Sequence, residues 1–387
     1  MPERIVYIVE SLYKPDYIQK IHCHQINWMA ENSEYEVYAV LTEKPHRQFV
    51  YELSPKVHIV NFGLNFDDIN KFYYYQKPFL FLKKQWAYRK KMKKLLENIR
   101  PKAIITYDKR EKWCLWSISD KSHKIVVLGS AKDLYKKVWI TNLPLFVNWT
   151  ATFFKRNLHT LPLKAMDTVV VETQDSQKSW RQIFPKIVAI RPPIIDFPEN
   201  PVSKENCKVI VWGDFVKESR FDLLIHAWEK IGRYFPNWRL QLCGNGDQEP
   251  YKKIIREKRL SKLILCYPQS ENRSEKYSQS AILVHTSEND IYGGAIMEAM
   301  AYGIPCVVMK VPGTPNELIK NEENGFLIKP DHLMDLTIKL SILIRNADYR
   351  QKLGSKAREN MRIYNLDTTM KRWLKLLDEI ETKKKHK

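Results

Sequence analysis

Short apolar runs separated by helical segments recur along almost the whole chain of 387 residues, and this alternation restricts the fold more than any other feature. The runs are rich in Val, Ile and Leu, as buried strands are. Strands that alternate with helices form parallel sheets covered by helices on both faces. The sequence therefore predicts an α/β protein with doubly wound sheets. The predicted strands are 5–9, 37–41, 57–60, 103–106, 124–128, 168–171, 207–211, 239–242, 263–266, 281–285, 306–308 and 326–328.

A proline-rich segment at 191–201 interrupts this alternation. Prolines 192, 193, 198 and 201 disfavour both helix and strand, so the segment is typical of a linker. A second series of strands and helices follows it. The sequence predicts a first domain over 1–198 and a second domain over 199–365. Helices that begin at Leu333, Tyr349 and Thr368 finish the chain.

One stretch in the second half combines a predicted strand, a glycine turn and a helix. Residues 287–305 read SENDIYGGAIMEAMAYGIP, and the glycine pair opens a short helix that carries Glu298. The free N–H groups and the positive dipole end of such a helix favour a phosphate group. Asp290 precedes the glycines and Glu298 follows them by about one turn of helix. Because carboxylates repel phosphate, we expect these two to accept hydrogen bonds from the hydroxyls of a sugar ligand.

The same stretch resembles the donor-site motif of the group 1 (family 4) retaining glycosyltransferases, whose pattern is E-x7-E followed by A-x-A-x-G-x-P. Residues 298–305 follow the second half of that pattern without a gap, whereas Asp290 stands where the family usually has Glu. Further similarities follow in the family's order, at 211–213, 221–225, 242–247, 313–318 and 324–328.

This resemblance implies roles for individual residues. Glu298 would hold the ribose of a nucleotide, and the turn at Gly293, Gly294 and Ala295 would hold its diphosphate. Asp290 would contact the transferred sugar, with the shorter Asp side chain in place of Glu. The family acts without a metal ion, and its co-substrate is a nucleotide-diphosphate sugar. No cofactor is expected beyond that co-substrate.

The resemblance also implies an architecture. Family members have the GT-B fold, in which two Rossmann-like domains face a cleft. The first domain would bind the acceptor and the second the donor. The last helix, about 366–387, would pack back on the first domain.

One loop departs from the family pattern. Just after the first strand of the second domain the family has an Arg and then a Lys, which neutralise the diphosphate. Asp214 and Ser219 stand at those places here. Lys217 and Arg220 in the same loop could replace them, since arginine suits bidentate phosphate contacts. The alternative is that both are solvated loop charges.

The chain carries a net charge of +20, and its densest cluster of basic residues is a helical segment at 83–94, next to aromatic and leucine residues. Basic and apolar residues together favour an anionic membrane surface, where a lipid-linked acceptor would lie. A solvated helix face is the alternative. An aromatic segment at 139–154 could dock at the same surface or belong to the core. Nucleic acid is disfavoured as a partner because no recognition motif accompanies the charge. The residues of the predicted acceptor and membrane surface are Lys83, Lys84, Trp86, Arg89, Lys90 and Lys93.

Composition excludes some other classes. The six cysteines are scattered without metal-ligand spacing, which predicts free thiols in a reducing compartment and no metal site. The sequence shows neither a secretory leader nor a run of about 20 apolar residues. We therefore predict a cytoplasmic protein that is peripheral on the inner membrane face.

The sequence thus predicts a retaining glycosyltransferase that acts in bacterial surface polysaccharide synthesis, with a lipid-linked glycan as acceptor. Two alternatives stay open. The chain could be a catalytically silent GT-B scaffold that serves as a partner subunit, or a nucleic-acid-binding protein.

Overall fold

The computed structural model describes residues 2–385 except for 10, 14–16, 43–48, 72, 74–75, 108–110, 130–160, 185, 270–271, 289–292 and 312–313. The chain forms two compact units. The first unit contains residues 1–195 and 366–387, and the second contains residues 196–365.

The first unit is built on a parallel sheet in which seven strands are described, in the order β3-β2-β1-β4-β5-β6-β7. Side chains of β1 alternate between its faces: Val6 and Ile8 join one apolar cluster, and Ile5, Tyr7 and Val9 join the other. The sheet is therefore buried on both faces, as a doubly wound sheet requires. The strands are β1 Arg4–Val9, β2 Glu36–Leu41, β3 His58–Asn61, β4 Ala103–Tyr107, β5 His123–Leu128, β6 Thr168–Val171 and β7 Ile187–Ala189.

The described helices of the first unit cover these two faces. Their bounds are α1 Tyr17–Asn32, α2 Lys77–Ile99, α3 Glu111–Trp116 and α4 Gln174–Trp180, with 3₁₀ turns at Phe66–Lys71 and Pro162–Ala165. The C-terminal helix of the chain, which is α12 Leu366–Lys385, packs on α1 in this unit. Trp373 and Leu377 on that helix share an apolar cluster with Ile26 and Met29.

The second unit is also built on a parallel sheet, with the described order β10-β9-β8-β11-β12-β13. Its strands are β8 Lys208–Trp212, β9 Arg239–Cys243, β10 Ile264–Tyr267, β11 Ile282–His285, β12 Cys306–Met309 and β13 Gly325–Ile328. Its helices are α5 Phe221–Ile231, α6 Glu249–Glu257, α7 Arg273–Ser278, α8 Gly294–Ala301, α9 Thr314–Leu318, α10 Leu333–Arg345 and α11 Ala347–Met361. The two sheets confirm the α/β fold class that the sequence predicts.

Close packing of α8 and α11 depends on two glycines. A Cβ atom on Gly354 would lie 1.9 Å from the carbonyl oxygen of Gly303, so only glycine fits where the helices meet. Gly303 itself has a φ of +74°, which side chains rarely adopt. The glycine that follows α8 in the motif, Gly303, is therefore required by the backbone conformation where α8 packs on α11.

Candidate functional site

The strand order of the second unit reverses between β8 and β11, and the candidate site lies at the carboxyl ends of these strands. Ligands of open α/β sheets bind at such a reversal. The loops after the two strands are joined: the Thr286 hydroxyl donates to the carbonyl of Ser219 at 2.7 Å, and the N–H of Glu288 donates to the carbonyl of Glu218 at 3.0 Å.

The loops after β8 and β9 cross in close contact. A Cβ atom on Gly244 would lie 1.7 Å from the carbonyl oxygen of Gly213, so the crossing requires glycine at 244. The backbone N–H of Asn245 donates to Oδ1 of Asp214 at 3.2 Å. Asp214, which stands where the resembled family has an arginine, thus joins these loops.

The glycine turn opens α8 as predicted from the sequence. Gly293 has a φ of +59° at the N-cap of α8, a left-handed conformation that favours glycine. Because the N-cap residue is a glycine, it has no side chain of its own to cap the helix. The N–H groups of Gly294 and Ala295 belong to its first turn, where helix geometry provides no acceptor. This turn can therefore accept an anionic ligand.

Glu298, one turn further along α8, is buried and 5% exposed. Its Oε2 atom accepts three hydrogen bonds: from Nε of Arg273 at 3.0 Å, from Nη2 of Arg273, and from the Tyr277 hydroxyl at 2.9 Å. Arg273 is the first residue of α7, and its guanidinium carbon lies 4.3 Å from the ring centroid of Trp212, the last residue of β8. Among the described residues, none donates a hydrogen bond to Oε1 of Glu298.

The environment fixes the protonation of the two donors. Burial raises the pKa of Tyr277 well above its ordinary value, so its phenol stays neutral and can donate. Burial opposes the charge on Arg273, but Tyr277 and Glu298 outweigh this effect and raise the pKa of the guanidinium. Oε2 therefore faces a cation and a neutral hydroxyl, whose oxygen also lies 3.2 Å from the carbonyl oxygen of Ala295.

The two loop cations occupy different environments. Arg220 is paired with Glu288 at 3.1 Å, with Asp222 at 3.5 Å and with Asp331. Lys217 is exposed, and no described side chain forms an ion pair with it. Of the two candidate replacements for the family's cations, Lys217 is available to a ligand and Arg220 is already engaged by carboxylates.

Asp290 and His285 are two further residues near the predicted site. Asp290 lies outside the described residues, within 289–292. His285 ends β11 and is 1% exposed. Among the described residues, no group of three or more His, Cys, Asp or Glu side chains could hold a metal ion.

The predicted membrane surface lies on α2 in the first unit. Phe79, Leu82 and Trp86 are 71%, 66% and 64% exposed. Residues 79, 83, 86, 90 and 93 share one helix face by their spacing, so Lys83, Lys90 and Lys93 extend the row that Phe79 and Trp86 begin. We call Phe79, Leu82, Lys83, Trp86, Lys90 and Lys93 the α2 surface.

Two of the predicted basic residues bond to neighbouring loops instead. The ammonium group of Lys84 donates to the carbonyls of Leu64 and Asn65. Arg89 donates to the carbonyl of Ser117 at 3.0 Å. The aromatic segment 139–154 lies outside the described residues. None of the described helices is long and apolar enough to cross a bilayer.

Sequence reasoning missed Arg273, Tyr277 and Trp212. Their one available signal was the spacing of Arg273 and Tyr277, which places them on the same face of a short helix just before β11. Nothing in that spacing indicates Glu298, which is 25 residues away.

Comparison with known proteins confirms the resemblance. Residues 194–360, which span nearly all of the second unit, match the family model "Glycosyl transferases group 1". An uncharacterized glycosyltransferase of Haemophilus influenzae is 24% identical over 266 residues, which cover 65% of this chain and 75% of that protein. A poly(ribitol-phosphate) alpha-N-acetylglucosaminyltransferase of Staphylococcus aureus is 26% identical over 165 residues. These residues cover 42% of this chain, and only 34% of the S. aureus protein.

Solved structures share the fold over nearly the full chain. A sucrose-phosphate synthase from Thermosynechococcus elongatus superimposes with a TM-score of 0.78 and 16% identity, covering 98% of this chain and 99% of that chain. A mutant of S. aureus TarM in complex with fondaparinux, alpha-GlcNAc-glycerol and UDP has a TM-score of 0.69 and 14% identity, covering 97% and 99%. The protein therefore shares with these solved structures a fold of two Rossmann-like α/β units, and the part of the chain that matches the group 1 model is residues 194–360.

Proposed function

We propose that the protein is a retaining glycosyltransferase that moves a sugar from a nucleotide-diphosphate sugar to an acceptor hydroxyl. The second unit would bind the donor and the first unit the acceptor. One observation carries this proposal: the first turn of α8, with the N–H groups of Gly294 and Ala295, is followed one turn later by a buried carboxylate whose Oε1 accepts no hydrogen bond from a described residue. The first turn of α8 suits a diphosphate, and the Glu298 carboxylate suits the hydroxyls of the neighbouring ribose.

The proposed chemistry breaks the bond between the anomeric carbon and the β-phosphate oxygen, and the electron pair leaves with the diphosphate. The first turn of α8 and Lys217 would stabilise that negative charge. The acceptor hydroxyl attacks from the same face of the sugar, and its proton passes to the leaving phosphate oxygen. Glu298 would hold the ribose, and Asp290 the transferred sugar. Because backbone N–H groups and Lys217 supply the positive field, the proposed reaction needs no metal ion.

We further propose that the acceptor is a lipid-linked glycan of bacterial surface polysaccharide synthesis, met at the inner face of the cytoplasmic membrane. The similar S. aureus protein acts on poly(ribitol-phosphate) by its name, and the α2 surface combines exposed apolar and basic side chains. Such a surface inserts its apolar residues between lipid headgroups while its lysines contact anionic lipids. The nucleic-acid alternative predicts salt-sensitive binding to oligonucleotides instead.

A silent scaffold is the second candidate, and two observations favour it. Asp214 joins two loops where the resembled family has an arginine, and Arg220 is held by three carboxylates. This candidate predicts that the donor is never cleaved.

A screen of nucleotide sugars separates the two candidates. The purified chain is incubated with UDP-, GDP- and ADP-sugars, and the release of nucleoside diphosphate is measured without acceptor. If the protein is a glycosyltransferase, we expect slow release of nucleoside diphosphate from one of these donors. No release above background, together with an unchanged Tm in excess UDP, GDP and ADP, would contradict the proposed function.

A further inference from the structure

Arg273 is a partly buried cation next to the candidate ribose site, and it has contacts on several sides. The indole of Trp212 lies against its guanidinium at 4.3 Å, and the Tyr277 hydroxyl accepts from its Nη2 at 3.0 Å. The side chain is 21% exposed. A planar guanidinium between an aromatic face and a carboxylate has little freedom to rotate.

The way Arg273 contacts Glu298 differs from the usual fork. Arginine and carboxylate groups often pair through two parallel bonds, one to each oxygen. Here Nε and Nη2 both donate to Oε2, and the Tyr277 hydroxyl donates to the same atom. One oxygen is therefore saturated, while Oε1 keeps its full capacity to accept hydrogen bonds.

We propose that Arg273 is a positioning residue for the donor nucleotide: it holds the Glu298 carboxylate in one orientation, with Oε1 left for the ribose hydroxyls. This proposal rests on the proposed function. A carboxylate that is already oriented loses little freedom when the nucleotide binds, which strengthens binding. Without Arg273, a buried carboxylate would lack its counter-charge and could rotate to satisfy both oxygens.

A lysine cannot fully replace this arginine. It would keep the positive charge, but its compact ammonium group lacks the planar face that packs on Trp212 and the fixed pair of donors. We therefore expect Arg273→Lys to be intermediate between the wild-type protein and Arg273→Met, which retains bulk without charge.

The experiment measures the Kd of the full chain for UDP, GDP and ADP by calorimetry, and compares variants with the diphosphate that binds best. We expect Arg273→Met to weaken binding at least about tenfold and Arg273→Lys to restore part of the loss. In a Glu298→Gln background, Arg273→Met should weaken binding less than about twofold further, because the two residues act together.

Arg350 provides a matched control in the same unit. It is 5% exposed and lies 5.1 Å from the ring centroid of Trp238, but its partners are the carbonyls of Leu343, Ile344 and Lys204. Arg350→Met should lower Tm and leave the Kd unchanged.

The proposal is overturned if Arg273→Met lowers Tm and keeps the wild-type Kd, as the control does. It is also overturned if Arg273→Met weakens binding equally in the wild-type and Glu298→Gln backgrounds. Failure of the proposed function gives a different result, since the wild-type protein would then bind none of the three diphosphates.

Discussion

In the second unit the partly buried Arg273 is paired with the buried Glu298, whereas in the first unit the lysines of the α2 surface point to solvent. A buried pair has fixed partners and a fixed geometry, so it can select a ligand by hydrogen bonds. Exposed charges next to exposed aromatic rings select only by charge sign and apolar contact, and salt screens them. The two regions are therefore suited to different ligands: a small nucleotide in one and an extended anionic surface in the other.

The largest effect expected in this comparison comes from Glu298→Ala. A hydrogen bond to a charged group contributes about 1.5–3 kcal/mol, so loss of the ribose contacts should weaken diphosphate binding about 100-fold. Calorimetry with Lys93→Ala as control checks this, because Lys93 is an exposed residue of the α2 surface. Equal losses in the two variants would refute the placement of the nucleotide site.

A smaller effect is expected from replacing the apolar part of the α2 surface. The triple variant Phe79→Ser, Leu82→Ser and Trp86→Ser should bind vesicles that contain phosphatidylglycerol about 30-fold more weakly, because partial burial of three such side chains contributes about 2 kcal/mol. Sedimentation with vesicles measures the partition.

A matched control comes from α10, where Met334, Ile338 and Ile342 are 55%, 49% and 37% exposed at similar spacing. Changing those three to Ser should leave vesicle binding unchanged. Equal losses from the two triple variants would show that exposed apolar area alone, and not the α2 surface, determines adsorption.

The next smaller effect is the salt dependence of binding, which should differ between the α2 surface and the Glu298 site. Raising the salt concentration from low to high should weaken vesicle binding about tenfold, since each exposed lysine near an anionic surface contributes about 1 kcal/mol that salt screens. Diphosphate binding should weaken less than about threefold, because Lys217 is the one exposed cation among its proposed contacts and the hydrogen bonds of Glu298 are buried. A titration of each ligand at several salt concentrations checks both slopes, and parallel slopes would contradict the distinction.

The smallest expected effect is a difference in stability between variants of two adjacent lysines of α2, Lys83 and Lys84. Lys84→Met should destabilise the protein by about 1 kcal/mol, because the loop carbonyls of Leu64 and Asn65 lose their donor. Lys83→Met should leave Tm unchanged, since Lys83 is exposed. Thermal unfolding measures both, and a larger loss of Tm for Lys83→Met would show that the orientation of α2 differs.

Much of the fold could be predicted from the sequence, because most of the buried strands are short runs of mainly apolar residues. The predicted strand 168–171 agrees with β6 in both bounds, and the other predicted strands agree with β1–β5 and β8–β13 within one residue at each end. The short strand β7 was missed, since three residues give too little pattern to separate from a loop.

The candidate site could be predicted only in part. The glycine turn and Glu298 follow from a local motif, but the pairing of Glu298 with Arg273 joins residues far apart in the chain. The inward orientation of Lys84 likewise depends on how α2 packs against the 62–65 loop, which no local pattern encodes.

The central claim is that Oε1 of Glu298 accepts hydrogen bonds from the ribose of a bound nucleotide. Its most direct test compares the Kd of the nucleoside diphosphate that binds best with the Kd of its 2′,3′-dideoxy analogue, in the wild-type protein and in Glu298→Ala. The account predicts that the wild-type protein binds the dideoxy analogue at least about tenfold more weakly and that Glu298→Ala binds the two alike. An undiminished preference for the ribose hydroxyls in Glu298→Ala would contradict it.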